Sequence, residues 1–396
     1  MKLSFPLLAL LCCFHLSAQN NHNNYWLGRS TGKLPALLYG LGDDRLGGAK
    51  LGYVDTTVLF KVIDSTGIMY QVQLSKQHTA YIEKQYILRD TATREKPFYL
   101  TSSWNAKGTD TCYDILAISM DEHLPYKSWM EIDPSKIMID LYGVQSNTNW
   151  ITQLQSLKEI VNVYYNQVED DVVRVTIELK HQQHWGYSIG YHGKALIVKV
   201  KRQPAKLDIK SLKIAIDAGH GGTNMGADGV RTHAFEKMYT LKFAVALEKL
   251  LKKQKISVIM TRTTDTSYDI KDRVLFLQDQ NPDILISLHL NSSGNALIKG
   301  SSTYYKHIGF RPLSQAVLKR MLEIKMDEFG NVGNFNFTLS QPTDFVNCLL
   351  EIGFLSNESD EKKILDPQFH QKVALQVSKA ITDWLSEIQK SSAHAQ

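Results

Sequence analysis

At 396 residues the chain can form two or three domains with separate cores, and 43% hydrophobic against 21% charged residues excludes a disordered or low-complexity protein. A net charge of +5 is too small over this length to indicate a nucleic-acid partner. Lys2, an apolar run from Leu3 to Leu16 and then Ser17-Ala18-Gln19 read as a secretory signal peptide over 1–18, cleaved near Ala18. The run is shorter than the ~20 residues a membrane span needs, and no later segment is apolar enough, so no transmembrane segment is expected. The product is expected to be exported, to the periplasm or cell envelope. Leu10-Leu11 precedes Cys12-Cys13 where small residues would favour lipidation, which argues for simple cleavage. Cys112 and Cys348 then remain, expected as two isolated buried thiols; no CxxC spacing offers a metal site.

Residues 24–95 are expected to form a small all-β domain. Val58, Phe60 and Val62 alternate, Ser65-Thr66-Gly67 supplies a turn, and Tyr70, Val72 and Leu74 alternate again, the pattern of a hairpin. The stretch GGAKLGYVDTTVLFKVIDSTGIMYQVQLSKQHTAYI resembles a bacterial SH3-like module, and its tyrosines are expected to fill the core. Over 96–205, DILAISM, SKIMIDLYGV, VVRVTIELK and ALIVKVK read as short strands between polar turns. The paired phrases PSKIMIDLYGV and VVRVTIELK resemble the β-sandwich localisation module that precedes some cell-wall enzymes, which implies envelope targeting. Gln203-Pro204-Ala205 reads as a linker.

From 206 to 390 the period changes. Buried strands at LKIAIDAGH, ISVIM, DILISLH and NCLLEI alternate with helices over Phe235–Lys253 and near Lys271–Gln280. A last helix carries Val373, Val377, Ile381, Trp384 and Ile388 on one stripe. This predicts an α/β domain with a mostly parallel sheet covered on both faces.

In such sheets ligands bind beyond the carboxyl ends of the strands. His220 follows IAID in DAGHGG, His289 ends ILISL, Glu351 ends NCLL, and Glu236 begins the helix after the first strand. Two histidines and a carboxylate form a ligand set for catalytic Zn2+ with a fourth position left for water. A further carboxylate must take that water's proton and pass it to a leaving amine. Glu236 suits the ligand role and Glu351 the base, since an acid between Leu350 and Ile352 is costly to bury without a partner. Taken singly, each has an ordinary explanation: a hydrogen-bonded histidine, or a first-turn helix acid. Their convergence carries the inference. His233, His307 and His370 lack this context and are expected at the surface or behind the site.

The ordered phrases IDAGHGG, GADG, FEK, MTRTTD, ISLHLNSS and LLEIGFLSNESDEKKIL resemble the zinc-dependent type 3 N-acetylmuramoyl-L-alanine amidases, from Lys213 to Trp384. The resemblance implies zinc on His220, Glu236 and His289, a catalytic Glu351, and hydrolysis of the amide between N-acetylmuramic acid and L-alanine in peptidoglycan. It places Asn291 and Asn357 in motif positions that orient loops or substrate. Ala218 stands where the family often has proline, and FNFTLSQ lacks an arginine common in the substrate-side loop. Some members carry an extra helix between the second histidine and the glutamate that blocks the site. Here that interval must hold a strand near Ser302–Tyr305 and a helix after Arg311, so an open site is expected. The chain is expected to be a monomer. Two rivals remain: a zinc carboxypeptidase on a similar sheet, and an inactive wall-binding relative.

Overall fold

The structure, a computed structural model, describes residues 25–41, 50–109 and 112–394. The signal-peptide segment 1–18 lies outside these residues. Among them, no helix is long and apolar enough to cross a membrane.

Among the described residues, seven strands between Trp26 and Arg89 form an antiparallel sheet. The expected hairpin is Leu59–Thr66 against Met69–Gln73, with Gly67 turning the chain at φ +54°. Val58, Phe60, Val62, Val72 and Leu74 point inward as the alternation requires. Between 99 and 201 two further sheets share one core. Ile137, Ile139 and Val175 from one sheet meet Leu116, Ile118 and Val198 from the other.

The C-terminal sheet runs in the order Ser257–Met260, Lys213–Ala218, Ile284–Asn291, Val346–Phe354, Ser301–Tyr304, Glu328–Val332. It is mixed rather than uniform. The first four strands run parallel, but Ser301–Tyr304 pairs antiparallel with Val346–Phe354. Ser301–Tyr304 is four residues of mostly polar sequence, with no apolar run from which its direction could be read.

Helices α1 (Glu236–Lys253), α3 (Arg311–Glu323) and α5 (Pro367–His394) cover one face, while α2 (Ile270–Gln280) covers the other. The division follows the period of two: Ile214, Ile216, Ile284 and Ile286 face the large core, whereas Ala215 and Leu285 face Val274 and Leu277 of α2. The apolar stripe expected on the last helix is buried from Val373 to Ile388. Cys348 is buried and free, as expected; Cys112 is free but exposed, because it lies on a turn ahead of its strand rather than within it.

The central sandwich and the C-terminal unit meet in a seam. The rings of Trp185 and Trp384 lie 5.2 Å apart, and Gln183 accepts a hydrogen bond from Trp384 Nε1 while donating to the Gly309 carbonyl. Nearby, Lys201 is paired with Asp283 at 2.9 Å. This seam ties the sandwich to the C-terminal unit.

Candidate metal centre

The strand Lys213–Ala218 ends in a tight glycine loop that presents His220 at φ +61°, a left-handed conformation normally reserved for glycine. Two buried arginines hold that loop. Arg262 donates to the carbonyls of Ala218 and Gly219, at 2.9 Å each, and Arg273 to those of Ala218 and His220. Arg273 is itself paired at 3.1 Å with Asp217, which is fully buried. Burial would raise the Asp217 carboxyl, but the Arg273 charge and hydrogen bonds from Thr261 and Ser287 hold it below the ordinary value.

Glu236 opens α1, where the helix dipole favours an anion. Its Oε2 accepts from the Ala227 amide at 2.8 Å and its Oε1 from the Leu290 amide at 2.9 Å. His220 Nε2 lies 3.0 Å from Oε2, and His289 Nδ1 lies 3.0 Å from Oε1. Burial alone would raise the Glu236 carboxyl; the two imidazoles hold it well below the usual carboxylate range. Burial pulls His220 down, but the hydrogen bond and charge of Glu236 leave it raised. One ligand atom from each of His220, Glu236 and His289 lies within 4.8 Å of the others. Ligands bound to one zinc at about 2.0–2.2 Å are that close to one another, so the donor set fits the ion.

Close approach explains two glycines. A Cβ on Gly219 would stand 2.3 Å from the His289 ring, and one on Gly226 would stand 2.4 Å from Glu236 Oε2. The imidazole of His220 is also oriented from behind. Asn224 Oδ1 accepts from the Gly226 amide at 3.2 Å, so it must also accept from His220 Nδ1, 2.8 Å away. The proton therefore sits on Nδ1, and Nε2 is left to bind a metal.

Glu351 pairs in register with His289 on the neighbouring parallel strand, and both side chains project from the same side of the sheet. Glu351, His220, Glu236 and His289 line a single cleft of about 850 Å³. Opposite the histidines stands an aromatic wall: Phe335 and Phe337 at 4.6 Å, Tyr304 against both, and Phe337 parallel to His289 at 6.4 Å.

Asn291 lines the cleft. Asn357 does not. Its oxygen caps α4 (Glu358–Ile364) by accepting from Ser359 and Asp360, and its Nδ2 donates to the Ala296 carbonyl at 2.6 Å, so it ties down a loop. His233 is exposed. His307 and His370 are bonded to the Gln341 and Ile364 carbonyls, and none of the three joins the cluster. Helix α3 buries Leu313, Val317 and Met321 and contributes no residue to the cleft. Sequence reasoning missed Asn224 and Arg273. Arg262 stood inside MTRTTD without an assigned part.

Residues 214–383 match the family model described as N-acetylmuramoyl-L-alanine amidase. Over 204 residues the chain is 29% identical to a probable cell wall amidase LytH of Staphylococcus saprophyticus, covering 51% of this chain and 68% of that protein. It is 30% identical over 206 residues to the LytH of Staphylococcus aureus, covering 50% and 66%. The matched region thus spans about two thirds of these relatives. The solved catalytic domain of CwlV, an N-acetylmuramoyl-L-alanine amidase from Bacillus (Paenibacillus) polymyxa var. colistinus, aligns at 31% identity and TM-score 0.42, covering 44% of this chain and 98% of that one. The family match and the named relatives support an amidase function.

Proposed function

We propose, with the amidase match of residues 214–383 as premise, that this chain is a zinc-dependent N-acetylmuramoyl-L-alanine amidase that strips stem peptides from peptidoglycan. The observation that carries this reading is the His220–Glu236–His289 triad, with Glu236 buried between two half-buried histidines, sharing one cleft with Glu351.

His220, Glu236 and His289 would hold the ion. Zinc in such a set lowers the pKa of water to about 7 and withdraws electrons from a scissile carbonyl. Glu351, on the strand beside His289, takes the proton of the attacking water and delivers it to the departing alanine nitrogen. Asn224 keeps Nε2 of His220 unprotonated, and Arg262 and Arg273 hold the left-handed loop that aims it. The aromatic wall excludes water from one side of the cleft and offers apolar contact to substrate.

The cleft has no α3 side chain over it, which supports a site active without a partner. Export to the envelope is in keeping with cell wall amidase relatives, and the resemblance of the upstream β units to a localisation module is what supports a part for them in wall targeting. Product analysis tests the reaction. Purified peptidoglycan treated with the full chain should gain new N-terminal L-alanine; release of free D-alanine in its place would mark a carboxypeptidase. No product at all, with the chain folded and metal supplied, would mark an inactive wall-binding relative.

A further inference from the structure

On the far side of the aromatic wall lies a second groove, of about 620 Å³, built by all three units of the chain. Lys50 comes from the first sheet, Lys127 and Trp129 from the sandwich, and Lys306 and Asn336 from the C-terminal unit. The segment 334–337 is the partition between the two clefts, and its residues alternate: Asn334 and Asn336 line this groove, while Phe335 and Phe337 line the catalytic one.

Among the described residues, positive charge in the groove is uncompensated. Its one acid, Asp140, is already bidentate with Arg174, at 2.7 and 2.9 Å. Among the described residues Lys50, Lys127 and Lys306 form no ion pair. Lys127 lies over the rings of Tyr39 and Trp129, at 5.1 and 5.6 Å, Lys306 donates to Asn336 Oδ1 at 2.7 Å, and Lys50 reaches Thr338 Oγ1 at 3.3 Å. Burial draws Lys306 below the ordinary lysine value, and repulsion from Lys127 and Lys50 adds to it. Lys50 is lowered likewise by burial and by Lys271, against a smaller pull from Glu83, which lies outside the groove. Three ammonium groups that repel one another in a concave site bind an anion in preference to water.

We propose that this groove is an anion subsite that takes the carboxylates of the stem peptide while the scissile amide lies at the histidine cluster. The choice of ligand rests on the amidase reading above. A stem of four residues spans about 13–14 Å extended, enough to reach past a partition made of one segment of chain. The groove exists only when the three units sit together, which gives the upstream sheets a part in substrate selection.

Calorimetry on the full chain tests this with the free stem tetrapeptide as its carboxylate and as its fully amidated form. The acid should bind at least tenfold more tightly, and Lys127→Gln and Lys306→Gln should each remove about that difference. Lys127 donates no hydrogen bond to the partition, so loss of the preference in Lys127→Gln cannot be assigned to a displaced loop. Equal affinity for acid and amide in the wild type, or a preference that survives both substitutions, would overturn the proposal. A third arm uses a glycerol-phosphate polymer: lysine-dependent binding of the polymer with none of the tetrapeptide would reassign the groove to an anionic wall polymer. Stem-peptide release from muropeptide is read separately. Its absence would refute the amidase reading, whereas the calorimetric comparison would still decide the groove.

Discussion

Asn224 Oδ1 lies 2.8 Å from His220 Nδ1 and also receives the Gly226 amide, so one exposed asparagine sets which imidazole nitrogen faces Glu236. Asn224→Ala leaves His220 free to rotate and to change tautomer. Zinc affinity should fall about 10–100-fold, as measured by competition with a chelating dye. The melting temperature of the metal-free chain should barely move, because Asn224 is exposed.

Glu351→Gln preserves shape and removes the base. Its kcat on purified muropeptide should fall about 10²–10⁴-fold with KM nearly unchanged. An activity within threefold of wild type would remove Glu351 from the proton transfer.

Arg273→Met leaves the Asp217 carboxylate buried without its counter-charge. Breaking a buried pair costs about 3–5 kcal/mol, to be read from the denaturant midpoint. Adding Asp217→Asn should recover part of that loss, since the charge left behind is what destabilises.

His184 is buried in the seam between the sandwich and the C-terminal unit, its Nε2–H donating to the Glu131 carbonyl at 2.8 Å. Burial lowers its pKa below the ordinary imidazole value. The unfolded chain takes up that proton near pH 6.5 while the folded chain does not, so stability falls as pH drops below about 6.5. His184→Asn should flatten this part of the stability–pH curve, measured by urea unfolding from pH 7.5 to 5.

Much of the site could be read from the sequence because strand ends advertise themselves. His220 follows an apolar run, His289 and Glu351 lie late in apolar strands, and Glu236 sits where a helix begins. Residues that act on them from a distance left no local mark. Arg273 looks like any polar helix residue until Asp217 is found beneath it, and Asn224 is one more polar loop residue. Asn357 did carry a legible signal, an asparagine followed by Glu358, Asp360 and Glu361, which is the pattern of a helix N-cap. The strands Trp26–Ser30 and Ala36–Leu38 were not legible, having too few alternating residues to set a period. The seam at Trp185 and Trp384 joins positions far apart in the chain, and periodicity does not report such contacts.

The shared metal is tested most directly by the zinc content of the purified chain beside four variants. The account predicts about one zinc per chain in the wild type and in Glu351→Gln, and almost none in His220→Ala, Glu236→Ala or His289→Ala. Full zinc in any of those three alanine variants, or a wild type that binds none when zinc is supplied, would contradict it.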